Sequence, residues 1–192
     1  VRKDIIMLLF DEKRSIPILC KNKNEYVKYA VKDLAADLKR INENKIMPDI
    51  VTECEGPCII IEENDSGNEP IKDESYSIKM QGDKIYISAS GYLGTMWGIY
   101  TFSDKILGID PCYLFNDFEP KKKSKLEISN INITDAPESF GFRGVFINDE
   151  DLLTGWKDGG GIRYMDWHSD YITVPDTVIN MVIETMLRLK LN

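Results

Sequence analysis

Apolar and polar positions recur along this chain in patterns that assign most of its elements. Two short apolar runs, Ile5–Phe10 and Ile16–Leu19, flank a polar, turn-prone break at Asp11–Ser15 and read as strands. From Asn24 the spacing changes. Val27, Ala30, Val31, Leu34, Leu38 and Ile41 return every three or four residues. That spacing predicts an amphipathic helix capped by Asn24, with Lys28, Lys32, Asp37 and Arg40 on its other faces. Ile46–Cys54 and Cys58–Ile61 are read as further strands, divided by the turn-forming Glu55-Gly56-Pro57. Glu62–Glu74 is acidic and rich in Asn, Gly and Pro, the composition of a solvated loop.

Tyr76, Ile78 and Met80 alternate with polar residues, as do Ile85 and Ile87, and Gly82-Asp83 between them suits a tight hairpin turn. Gly91–Ile106 returns to a helical period through Leu93, Met96, Trp97, Tyr100 and Ile106, with Gly108 placed as a C-terminal cap. An aromatic connection (Tyr113–Phe118), a basic run (Lys121–Lys125) and a last strand (Leu126–Ile133) complete a first unit over residues 1–135. The order of strands, helix, strands, hairpin and helix predicts an α/β fold: a mixed sheet covered by two helices.

A second unit over residues 136–192 begins after Asp135-Ala136-Pro137. Phe142–Ile147 reads as a buried strand that ends in Asn148, Asp149 and Glu150. A loop containing Gly159-Gly160-Gly161 then leads to an amphipathic helix, Pro175–Leu191, carrying Val178, Ile179, Val182, Met186 and Leu189. A buried strand, polar groups at its tip, a loop and a helix packing back make up the repeating unit of a TIM barrel, whose catalytic groups stand at the C-terminal strand ends. Asn148, Asp149 and Glu150 occupy that position. Acidic residues after a strand also serve as solvated loop or helix-capping groups.

Composition narrows the chemistry. Of 192 residues 43% are hydrophobic and 29% charged, enough apolar surface for a core. The net charge of -8 repels phosphates, which argues against nucleic acid as a partner. No apolar run approaches the roughly 20 residues that cross a bilayer, so no membrane span is expected. The triple glycine follows Asp158 and lacks the lysine and hydroxyl residue of a nucleotide loop, and no cofactor is expected.

Cys20, Cys54, Cys58 and Cys112 are too sparse for a disulfide scaffold. Cys54 and Cys58 have no second pair and no nearby histidine, so they read as structural cysteines and no metal site is expected. His168, beside Trp167 and near Asp166, reads as an ordinary loop histidine for want of a second imidazole. Trp156, Tyr164 and Trp167 either stack on sugar rings or pack within their loop. The chain begins at Val1, which fits a mature chain whose leader has been removed and leaves its compartment open.

Phe142-Arg143-Gly144-Val145-Phe146-Ile147-Asn148-Asp149-Glu150, then Gly155-Trp156, then Glu184-Thr185-Met186-Leu187-Arg188-Leu189-Lys190-Leu191-Asn192, resemble the start of the catalytic barrel in glycoside hydrolase family one hundred and fifteen, the xylan α-glucuronidases. Asp73–Gly108, through Gly91-Tyr92-Leu93-Gly94-Thr95-Met96-Trp97-Gly98-Ile99-Tyr100, is similar to the small α/β domain that precedes the barrel there and in β-hexosaminidases. Lys157–Val174 departs from the family with its triple glycine and its Tyr164, Asp166, Trp167 and His168 cluster.

The resemblance implies an N-terminal accessory domain followed by the first β/α unit of a truncated barrel. The implied reaction is inverting hydrolysis of a terminal α-linked uronic acid from a polysaccharide or oligosaccharide branch. Asn148, Asp149 and Glu150 are then the catalytic-end candidates, with Asn148 and Asp149 hydrogen-bonding or positioning water. Arg143, Trp156 and Trp167 are the candidates for substrate contact.

The principal acid and base fall on later strands. A barrel takes about 250 residues and only about 50 follow Gly141, so the chain alone is expected to be inactive. One β/α unit cannot close, and its apolar faces must pack on the first unit, pair with a second copy as a homodimer, or stay mobile. The alternative is a non-catalytic α/β module that contacts carbohydrate or protein.

Overall fold

Asn24 opens the longest helix. Its side-chain oxygen accepts from the N–H groups of Tyr26 (2.9 Å) and Val27 (3.4 Å), donors that a helix start leaves without partners. The computed structural model describes residues 6–63, 74–116, 118–147, 165–166, 171–172 and 176–192. In chain order the strands and α-helices are β1 (Ile6–Phe10), β2 (Ile18–Cys20), α1 (Glu25–Ile41), β3 (Ile50–Val51), β4 (Cys58–Glu63), β5 (Tyr76–Gln81), β6 (Lys84–Ala89), α2 (Tyr92–Phe102), β7 (Leu126–Ser129), β8 (Asn132–Asp135), β9 (Met165–Asp166), β10 (Tyr171–Ile172) and α3 (Asp176–Arg188).

Six strands form one mixed sheet in the order β3-β2-β4-β6-β5-β8. Pairs from β3 to β6 are parallel, while β5 runs antiparallel to β6 and β8. The inward alternation of Ile59 and Ile61, Ile85 and Ile87, and Tyr76 and Ile78 buries one side of each strand. Each fully buried isoleucine contributes roughly 1.5–3 kcal/mol.

Helix α2 lies against β4, β5 and β6, with α1 beside it. The close fit depends on two glycines one helical turn apart. A Cβ on Gly94 would stand 2.6 Å from the Ser75 carbonyl oxygen, and one on Gly98 would stand 2.8 Å from Ile87 Cγ2. The fold is therefore the expected α/β arrangement, a mixed sheet with two helices on it.

Several expected elements take a different form. Within Ile46–Cys54 only Ile50 and Val51 are strand, because Pro48 has no N–H to give and β3, at the sheet edge, pairs with β2 alone. Ile16–Leu19 pairs with the main sheet only from Ile18, beyond Pro17. The second helix keeps its α-helical period to Phe102, widens into a π-turn over Ser103–Leu107, and ends at Gly108 with φ 78°.

Leu126–Ile133 is two strands rather than one. Asn130, at φ 54°, breaks the run, so β7 pairs with β1 in a separate ribbon while β8 joins the main sheet. The last helix spans Asp176–Arg188 and ends three residues before the expected Leu191.

Phe142–Ile147 is neither strand nor buried. Phe142 is 96% and Phe146 88% exposed. A strand needs neighbours to take its backbone N–H and C=O groups. Among the described residues the backbone of Arg143 bonds only to Asn192, whose side-chain oxygen accepts from the Arg143 N–H and whose own N–H donates to the Arg143 carbonyl, both at 3.0 Å.

Candidate functional site

Of the candidate catalytic and substrate residues, Arg143 lies within the described structure. Asn148, Asp149, Glu150, Trp156 and Trp167 lie outside it, as do Tyr164 and His168. Arg143 has little solvent contact despite the exposed chain around it, its side chain being 14% exposed. Its Nη2 pairs with Glu74 Oε2 at 2.7 Å, its Nε donates to the Lys190 carbonyl at 2.8 Å, and its Nη1 donates to the Phe140 carbonyl. Asn192 closes the clamp by donating to Glu74 Oε1 at 3.1 Å and to the Gly141 carbonyl at 3.0 Å. One carboxylate, that of Glu74, thus holds both Arg143 and Asn192.

A second anchor lies on α3. Arg188 sends Nη1 and Nη2 to the two carboxylate oxygens of Asp37 on α1, each at 2.9 Å, and Nε to Glu184 Oε1, also at 2.9 Å. Both members of the Asp37–Arg188 pair are buried, at 1% and 3% side-chain exposure. The guanidinium also lies over the rings of Tyr100 and Tyr113, and the Tyr113 hydroxyl donates to Glu184 at 3.0 Å. Burial works against the charge on Arg188, but Asp37 and Glu184 outweigh it and hold its pKa above the ordinary value. Nearby, the Tyr100 hydroxyl donates to Asp33 at 2.8 Å, and burial pushes the Asp33 carboxyl up to about 6.

Lys190 makes the third anchor. Its Nζ meets Asp135 Oδ2 at 2.8 Å and lies over the Tyr76 ring, while the Tyr76 hydroxyl donates to the same Asp135 oxygen at 2.7 Å. The Lys190 and Tyr76 hydrogen bonds hold the Asp135 carboxyl below its usual range. Glu184, Arg188, Lys190 and Asn192 are thus the residues that tie α3 and the tail after it to α1 and the sheet.

Chemically this seam is a set of satisfied ion pairs. Glu74, Asp37, Glu184 and Asp135 each face a cation or an amide, so none stands with an open gap opposite a second carboxylate. A cavity of about 190 Å³ lies elsewhere, between β1, the turn at Arg14–Pro17, Pro57 and Asp83, and its lining is mainly apolar. Among the described residues no cluster of His, Cys, Asp or Glu has the makings of a metal site, and no helix is long and apolar enough to cross a membrane.

The same architecture occurs in solved enzymes. One is a family GH115 4-O-methyl-α-glucuronidase, BtGH115A, described as specific for decorated arabinogalactans. It overlays 98% of this chain with a TM-score of 0.77 at 22% identity. Its fold is shared with glycoside hydrolases. A chitobiase of Flavobacterium johnsoniae overlays 79% of the chain with a TM-score of 0.50 at 18% identity. The chain spans 25% of the length of the first enzyme and 21% of the second. No protein-family model matches the chain, and no curated protein does.

Within the seam, the sequence pattern misplaces Asp37. Asp37 is assigned by its charge to an outer face of the first helix, yet it is almost fully buried. Its spacing carried a signal: three residues after Leu34 and four before Ile41, it lies on the edge of the apolar stripe.

Proposed function

We propose that this chain is the N-terminal α/β domain and first β/α unit of a TIM-barrel glycoside hydrolase, an α-glucuronidase that cleaves terminal α-linked uronic acid from polysaccharide branches with inversion. The observation that carries this reading is the overlay of nearly the whole chain, both units together, on a 4-O-methyl-α-glucuronidase. Exposed Phe140, Phe142, Val145 and Phe146 support it, because an unpaired apolar segment is what a first barrel strand offers to its neighbours.

In this reading residues 142–147 complete their pairing within the closed barrel, and Asn148, Asp149 and Glu150 stand at the C-terminal strand end. Asn148 and Asp149 hold the sugar or orient water. Later strands supply the acid and the base, separated by about 6.5–9.5 Å so that the water fits between them. Trp156 and Trp167 stack on the sugar ring. Arg143 offers the substrate the two guanidinium N–H groups not engaged by Glu74, Lys190 and Phe140. The substrate is the glucuronic acid side group of xylan. The same group on arabinogalactan is the competing source.

The test is release of 4-O-methylglucuronic acid by the polypeptide that carries this chain, from aldouronic xylan oligosaccharides and from decorated arabinogalactan, with the product anomer followed by NMR. The β-anomer should appear first, the xylan substrates should react faster, and the 192-residue chain alone should release none. Failure to release uronic acid from either polysaccharide would remove the assignment and favour a binding module.

A further inference from the structure

Cys54 and Cys58 bracket the turn Glu55-Gly56-Pro57 that leads from the edge strand β3 into β4. None of the four cysteines is disulfide-bonded in this structure. The Cys54 thiol curls back over the turn, 3.5 Å from the Gly56 carbonyl oxygen and 3.9 Å from that of Pro57, the residue bonded to Cys58. There it lies within interaction range of the Cys58 thiol. Cys54 is half-buried and reachable from solvent, whereas Cys58 is fully buried at the start of β4.

We infer that Cys54 and Cys58 are a redox pair that closes to an intramolecular disulfide by exchange with a small-molecule disulfide, stapling the open edge of the sheet. The accessible Cys54 thiolate attacks one sulfur of the oxidant, whose S–S bond breaks and releases one thiolate. The Cys58 thiolate then attacks the Cys54 sulfur of the mixed disulfide and expels the second. Two protein thiols are oxidised, the oxidant is reduced to two thiols, and the two cysteine protons end on those leaving groups.

Ring closure is the slow step at neutral pH. Burial, and then the neighbouring Cys54 sulfur, which favours the protonated form, push the Cys58 thiol up to about 11, with Lys84 and Asp83 of the neighbouring hairpin as the other charged groups facing it. The reactive thiolate is therefore scarce, and closure should accelerate about tenfold per pH unit over the neutral to mildly alkaline range.

The experiment equilibrates the chain with oxidised glutathione, then alkylates it under denaturing conditions and maps the peptides by mass. The expected product is a peptide about 2 Da lighter in which Cys54 and Cys58 resist alkylation until reduced. Cys54→Ser should abolish the closed form. Cys58→Ser, if it folds, should stop at a glutathione adduct on Cys54. Where that variant does not fold, the pH dependence of closure in the unaltered chain supplies the second measurement. Full alkylation of both residues, a stable Cys54 adduct in the unaltered chain, or a bridge to Cys20 or Cys112 would each overturn the assignment. None of these outcomes bears on glycosidase activity.

Discussion

Arg188 grips both carboxylate oxygens of Asp37 at 2.9 Å in a buried pair that joins the last helix to the first. Removing one partner strands the other. Asp37→Ala should cost about 3–5 kcal/mol in urea denaturation, whereas Asp37→Leu combined with Arg188→Met should cost much less, since apolar side chains do not leave an uncompensated charge. A single-variant loss below about 1 kcal/mol would show that Glu184 alone satisfies the guanidinium.

Stability should also depend on Asp33. Its carboxyl is raised from 3.8 to about 6 by burial, so the folded state holds the proton more tightly than the unfolded chain does. Its contribution is full below about pH 4 and is lost as pH rises through about 6. Tyr100, Asp37, Glu184 and Arg188 are the groups facing it. Asp33→Asn removes the titration and keeps an oxygen for Tyr100. The variant should therefore gain on the unaltered chain by about 2–3 kcal/mol between pH 4 and pH 7, read from melts across that range.

The glycines of α2 differ in what surrounds them. A Cβ at Gly98 meets Ile87 Cγ2, a side-chain methyl, while one at Gly94 meets the Ser75 backbone oxygen. Gly98→Ala should cost about 1–3 kcal/mol, less whatever the helix gains from alanine. Gly94→Ala should cost more, because backbone cannot step aside. Equal losses in chemical denaturation would contradict that ordering.

Phe142 and Phe146 should matter only in company. Both are exposed in this chain, so Phe142→Ser with Phe146→Ser should shift its stability by about 0.5 kcal/mol or less. In the polypeptide that carries the chain, the same pair should cost several kcal/mol if the two rings enter a closed barrel, about 3–5 for each buried ring lost. Comparing the two melts separates the cases.

Local periodicity made α1 and the β5–β6 hairpin legible, because their apolar spacing and their caps lie within a few residues of one another. Other features answer to distant partners. Asp37 is buried because Arg188 arrives from 151 positions downstream. Asn130 adopts a left-handed turn inside a run whose alternation reads as one strand. Phe142–Ile147 has a strand's composition but no flanking strand among the described residues. Of the candidate site, the sequence indicated the motif residues 184–192. That they anchor the C-terminal helix and tail became visible only through their contacts with Glu74, Tyr76, Tyr113 and Asp135.

The ribbon of β1 and β7 bears on how the molecule is made. Ile6 pairs with Ser129 and Met7 with Ile128, so the first strand finds its partner only after about 120 more residues have been synthesised. Until then β1, whose Met7, Leu9 and Phe10 are buried in the finished fold, lacks the strand it pairs with. That interval is when the nascent chain is most prone to clump, and shelter by a ribosome-associated chaperone would matter most there.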